Sequence, residues 1–143
     1  MSDFQYGTVS LKRLETCHTA LMYVAVDALK LSPYDITIVH GWRGEDIQNA
    51  LFDSNASGKR WPDSKHNNLG GDGQSQSEAI DFAPWVGGSV PWDDTHIFAV
   101  IAGSFFAAAA DHGVILRWGG DWDGDGSTKD QKLMDWGHVE IIL

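Results

Sequence analysis

At 143 residues the chain has the size of one domain, with length enough to bury a core of its own. Ten Lys and Arg against twenty Asp and Glu give a formal charge of −10, which repels phosphate backbones and anionic membrane surfaces and argues against nucleic acid as a partner. A hydrophobic fraction of 43% with seven Trp, assigned mostly to core packing over a carbohydrate-facing platform, excludes a disordered chain, and the single Cys excludes an internal disulfide.

Residues 1–12 carry no basic stretch followed by an apolar core, so no secretory leader is expected, and no run reaches the roughly 18 apolar residues of a membrane span. From Ser10, the apolar positions Leu11, Leu14, Leu21, Ala25 and Ala28 recur at three- and four-residue steps. That spacing predicts one amphipathic helix, with His18 and a buried free Cys17 inside it, ended by Ser32-Pro33. The β-branched run over 36–39 predicts a strand, Gly41-Trp42-Arg43-Gly44 a turn, and 45–52 a short helix. Residues 55–77, rich in Gly, Ser, Asn and Gln, read as a long loop.

A second strand is expected over 78–82, closed by Pro84. Asp93 or Asp94 then caps a helix through Ile97, Val100, Ile101, Phe105 and Ala108, which Gly113 stops. Strands follow over 114–118 and 138–142, separated by a Gly- and Asp-rich loop over 119–130. The order of elements is that of an α+β fold in a single domain, 1–143, and is too irregular for a doubly wound parallel sheet.

A catalytic zinc needs three His, Asp or Glu ligands and an open position for water. Ser64-Lys65-His66 in the polar loop, Ala79-Ile80-Asp81 on the strand leaving it, and Asp135-Trp136-Gly137-His138 at the final strand are the segments able to supply them at one sheet edge. His18, His40, His96 and His112, which lack such a context, read as hydrogen-bonded structural residues.

Asp121-x-Asp123-x-Asp125-Gly126 has the spacing of the first half of a calcium loop. The twelfth position is Lys132 where a bidentate Glu is required, so a weak Ca2+ site and a solvated acidic turn that includes Asp130 both stand as readings.

Taken in order, Gly41-x-Arg43 with Gln48 downstream, Ser64-x-His66, Ala79-x-Asp81, Trp118-Gly119-Gly120-Asp121-Trp122 and Asp135-x-x-His138-x-Glu140 resemble the zinc D-Ala-D-Ala carboxypeptidases and dipeptidases. They resemble above all the phage L-alanyl-D-glutamate endopeptidases that serve as endolysins. The resemblance implies a small, mostly antiparallel sheet packed with helices, as in hedgehog and D-Ala-D-Ala peptidase folds. It also implies His66, Asp81 and His138 as zinc ligands, Asp135 as general base and Arg43 as the cation facing the oxyanion. Ser64 is a candidate substrate contact or the residue that fixes the His66 loop by hydrogen bonding, and Trp136 is the tryptophan expected to line the cleft as a substrate contact.

One spacing departs from the family. His66 and Asp81 stand fifteen apart where seven is usual, which leaves Asp72 as a rival ligand, with Asp81 favoured for its strand and its Ala-x-Asp context. The implied activity is hydrolysis of a peptidoglycan stem peptide by a monomer held in the host cytoplasm until a holin-type partner releases it, or carried as a virion component. The alternatives are a D-Ala-D-Ala carboxypeptidase or dipeptidase, and a non-catalytic zinc-stabilised wall-binding or virion module.

Overall fold

The computed structural model describes residues 3–129 and 135–143; Asp130 and Lys132, invoked for the acidic loop, lie outside the described residues. The helix expected from Ser10 to Leu31 forms as two, α1 (Thr8–Leu14) and α2 (Thr19–Leu31). The chain leaves the helical path at Thr16 because tertiary pairing competes for its backbone. The Ser77 N–H donates to the Thr16 carbonyl at 2.9 Å and the His18 N–H donates to the Ser77 carbonyl at 2.8 Å. His18 is therefore not inside a helix but caps α2, its Nδ1 accepting from the Ala20 N–H at 3.1 Å.

The remaining elements are β1 (Asp35–His40), α3 (Glu45–Asp53), a 3-10 turn (Lys65–Asn67), β2 (Ala79–Trp85), α4 (Thr95–Asp111), β3 (Ile115–Trp118) and β4 (His138–Ile142). They form a fully antiparallel sheet in the order β1-β2-β4-β3. Pro84 does not close β2, which runs on to Trp85 paired with β1. It is tolerated because β4 pairs only with Ala79, Ile80 and Asp81, so β2 is a free edge on that side at Pro84.

One core joins the helices to the sheet. Leu21, Val24, Ala25 and Ala28 of α2 and Ile101, Phe105 and Ala108 of α4 pack with Ile36, Ile38, Ile80, Phe82, Val139 and Ile141. Each such side chain contributes roughly 1.5–3 kcal/mol on burial if Val-sized or larger. Asp94 starts α4 by accepting from the Ile97 N–H, and Gly113, at φ +67°, turns the chain out of it. Phe and aliphatic side chains fill this core, so Trp118 alone of the seven Trp is buried, Trp136 packs against the edge, and Trp85 and Trp92 are exposed. The assignment of most Trp to the core is thus corrected. Among the described residues no helix is long and apolar enough to cross a membrane.

Candidate metal centre

The site is a row across three neighbouring strands. Asp81 of β2 stands opposite His138 of β4 and opposite His40 of β1, and directly opposed residues of an antiparallel pair project to the same face. His40 reaches this row through a β-bulge: the register slips between Ile38, paired with Phe82, and His40, paired with Asp81.

His66 arrives from the polar loop on its 3-10 turn. Ser64 caps that turn, its Oγ accepting from the His66 N–H at 3.2 Å while its own N–H donates to Asn67 Oδ1 at 3.0 Å. The turn is tied to the Gly41-Trp42-Arg43 segment by Arg43 N–H to the His66 carbonyl at 2.9 Å and Asn67 Nδ2 to the Arg43 carbonyl at 3.1 Å. Ser64 thus holds the His66 loop in shape by hydrogen bonding, one of the two roles expected for it.

His66 Nε2 lies 3.3 Å from Asp81 Oδ1 and 3.3 Å from His138 Nδ1, and His138 Nδ1 lies 3.1 Å from Asp81 Oδ1. The ligand atoms of all three fall within 4.8 Å of one another, a spacing that would hold a metal ion. The outer ring atoms fix which nitrogen faces inward. His66 Nδ1 sits 2.7 Å from the Gly41 carbonyl, which only accepts, so the proton is on Nδ1 and Nε2 offers a lone pair. His138 Nε2 sits 2.9 Å from Glu140 Oε1, so Nδ1 is its inward atom. Once His138 gives up the proton that its Nδ1 shares with Asp81 Oδ1 in the metal-free protein, two imidazole lone pairs and a carboxylate face one another, a set that suits a divalent cation.

Burial pushes His66 down from its ordinary value, against the pull of Asp81. Burial also disfavours charge on His138, but its bonds to Asp81 and Glu140 and the charges of Asp81 and Asp135 outweigh this and raise it to about 9. Asp81 is desolvated too, yet His66 and the hydrogen bonds from His138 and His40 hold it well below the usual carboxylate range. Asp135, its side chain 44% exposed, stands at the rim with Oδ2 4.0 Å from His138 Nδ1. Desolvation and the charge of Asp81 push its carboxyl up, against the pull of His138, His66 and Arg43.

Arg43 is buried. Its Nη2 pairs with Asp81 Oδ2, its Nη1 donates to Gln48 Oε1 at 3.3 Å, and its Nε has no protein acceptor. It pairs with neither Glu45 nor Asp46. Asp72 does not join the ligand cluster: exposed in the loop, it accepts from the Gln74 N–H at 3.0 Å. The residues lengthening this loop close on themselves, Gln76 N–H donating to the Asn68 carbonyl at 3.0 Å and Asn68 Nδ2 to the Gln76 carbonyl at 3.1 Å. His66 and Asp81 therefore meet despite the longer spacing.

Four side chains at the centre carried no functional role in the sequence reading, which took His40 as a hydrogen-bonded structural residue. Gln48, fully buried, accepts from Arg43 and from Asn67 Nδ2 at 3.2 Å. His40 Nδ1 lies 3.2 Å from Asp81 Oδ2, and the Trp122 ring lies 5.2 Å from that of His138. Glu140 was legible in principle, because residues i and i+2 of a strand share a face. Trp136 leans on the core with its ring 5.4 Å from Trp118, and its carbonyl accepts from Trp118 Nε1 at 2.8 Å. The carboxylates of Asp121, Asp123 and Asp125 also gather within 4.8 Å of one another, with Gly126 N–H donating to Asp121 Oδ2 at 2.9 Å.

Comparison with known proteins gives a consistent assignment. Residues 1–142 match the family described as phage L-alanyl-D-glutamate peptidase. The chain is 37% identical over 143 residues to the L-alanyl-D-glutamate peptidase of Escherichia phage T5, covering 98% of this chain and 99% of that protein. Its fold is like that of the Serratia marcescens L-Ala D-Glu endopeptidase ChiX, with a TM-score of 0.76 and 24% identity over 98% of this chain and 92% of that one.

Proposed function

The chain belongs to the phage L-alanyl-D-glutamate peptidase family, and we propose that residues 1–143 act as one zinc peptidase domain that hydrolyses the L-alanyl-D-glutamate bond of the peptidoglycan stem. The observation that carries this reading is the convergence of His66 Nε2, Asp81 Oδ1 and His138 Nδ1, each with its donor atom turned inward. These three atoms hold the zinc ion, which when bound polarises the peptide carbonyl and lowers the pKa of a water.

The remaining work falls to the chain's own groups. Asp135, with its raised carboxyl at the rim, takes a proton from the attacking water and returns it to the leaving amine. Arg43 carries a permanent charge beside Asp81 Oδ2, and that guanidinium is the cation that steadies the oxyanion. Ser64 holds the His66 turn, and Trp136 borders the strand entry between base and ligand. The protein works as a monomer on the cell wall, released from the host cytoplasm by a holin-type partner or carried in the virion. Asp121, Asp123 and Asp125 bind Ca2+ as a second, non-catalytic ion, on the strength of their gathered carboxylates.

Digestion of purified peptidoglycan with and without a chelator, followed by fragment masses, tests the bond and the metal together. Cleavage between L-Ala and D-Glu that stops on chelation is expected. Release of terminal D-Ala would instead indicate a carboxypeptidase or dipeptidase, and no release a binding module. Asp135→Ala should abolish turnover while zinc stoichiometry stays at the wild-type level; normal turnover in that variant would refute the base assignment.

A further inference from the structure

His40 is the last residue of β1, an edge strand of the sheet, and the bulge before it aims its ring at the face that carries Asp81 and His138. Its Nδ1 lies 3.2 Å from Asp81 Oδ2, which only accepts, and 3.5 Å from Arg43 Nη2, which already pairs with that oxygen. The nearer, charge-assisted contact places a proton on Nδ1, so the neutral ring turns a lone pair outward on Nε2. Among the described residues Nε2 meets no partner, and it is open to solvent. The side chains of Asp81, His66, His138 and Arg43 are each 14% exposed or less, whereas that of His40 is 31% exposed and that of Asp135 44%. These two accessible groups flank the centre from opposite sides. His40 stands on β1, and Asp135 lies across β2 and β4 from it, its N–H donating to the Gly119 carbonyl just past β3 at 3.0 Å.

We propose that His40 is a substrate-binding residue whose Nε2 accepts a hydrogen bond from the N–H of the L-alanyl residue on the acyl side of the scissile bond. The proposal rests on the peptidase reading above and names the contact on the side of the centre away from the base. Asp135 returns its proton to the leaving amine, so the D-glutamyl nitrogen lies toward Asp135. The extended peptide then carries the alanyl residue across the centre toward β1. Neighbouring strands stand about 4.8 Å apart and an extended residue spans about 3.5 Å, so a group one strand over from Asp81 is about one residue away from a carbonyl held at the ligands. Within the stem the alanyl nitrogen is acylated and offers one uncharged N–H, which suits a lone pair; a carbonyl or carboxylate oxygen does not.

The test uses zinc-loaded wild type, His40→Ala and His40→Gln with two substrates: an acetyl-L-alanyl-D-glutamyl stem peptide, and its analogue in which an ester oxygen replaces the alanyl N–H. Wild type should show a KM about tenfold lower for the N–H substrate, the upper end of what one neutral hydrogen bond contributes. His40→Ala should erase that preference through KM, the mark of lost uniform binding, and His40→Gln, which keeps an acceptor, should restore part of it. A role exerted only through Asp81 would weaken both substrates in proportion and leave the preference intact; that result, or no preference in wild type, overturns the proposal. In wild type, titration with acetyl-L-alanine should shift the nitrogen NMR signal of the His40 ring and O-acetyl-L-lactate should not, and equal shifts or none also overturn it. The titration needs neither turnover nor a variant, so it decides the contact even where wild type cleaves neither peptide and the peptidase reading fails.

Discussion

Glu140→Gln isolates what the carboxylate behind a ligand contributes, because the amide keeps an oxygen for His138 Nε2 and loses only the charge. Glu140 is 7% exposed, with Oε1 2.9 Å from His138 Nε2 and Oε2 3.4 Å from Lys65 Nζ and 3.7 Å from Arg117 Nη1. A charge-assisted bond of this kind is roughly twice as strong as a neutral one. Loss of such a partner behind a ligating imidazole weakens metal binding about 10- to 100-fold, or about 1.4–2.8 kcal/mol. Two cations lose their counter-charge as well, so the upper half of that range is expected for Gln. Glu140→Ala should be weaker still, since nothing then prevents the ring from turning Nε2 inward. Competition for zinc against a chromophoric chelator, beginning from metal-free protein, gives the three affinities, and circular dichroism checks that each variant is folded. Folded Gln and Ala variants with wild-type zinc affinity would show that Glu140 does not orient His138.

In the metal-free protein His138 is raised to about 9, above the roughly 6.5 of an unfolded histidine, so its proton is bound more tightly by the folded state. That contribution is complete below about pH 6.5 and is lost as the pH rises through about 9, whereas His66, pushed down by burial, costs stability as the pH falls below about 6.5. Urea midpoints of metal-free protein should therefore decline on the alkaline side across this window, and a flat profile there would contradict the assignment. Gly41→Ala would drive a Cβ into the Arg13 carbonyl oxygen and Thr16 and displace the carbonyl that holds His66 Nδ1. It should cost about 1–3 kcal/mol of stability and weaken zinc binding, read from the urea midpoint and chelator competition; wild-type values would show the close approach is not constraining.

The strands and most helices were legible because their signals are local. Ile36 and Ile38 with polar neighbours, Asp94 ahead of Ile97, and Gly113 past the last turn of α4 each act within a few residues. The break between α1 and α2 was not legible, since it is made by Ser77, which lies 60 residues along the chain from Cys17. Pro84 misled for the same reason: whether a strand tolerates Pro depends on which neighbour it has at that position, and that is set by β4. The Trp assignment failed because residue type measures how much apolar surface is available and says nothing of which side of the sheet receives it.

At the candidate metal centre the three converging side chains were recoverable from motif order, but the residues that set their geometry were hidden by one register slip. Along a regular strand Ile36, Ile38 and His40 share a face, and the first two are core residues, so strict alternation would bury the His40 imidazole among aliphatic side chains. The bulge after Ile38 turns His40 to the opposite face, where its Nδ1 meets Asp81 Oδ2 alongside Arg43. Asp81 then has one oxygen committed to His40 and Arg43 and the other left facing His66 and His138, so only one oxygen is free to meet an ion held between the two imidazoles. A single extra residue in β1, invisible as a motif, thereby limits how the carboxylate can meet a metal and keeps the guanidinium at its side.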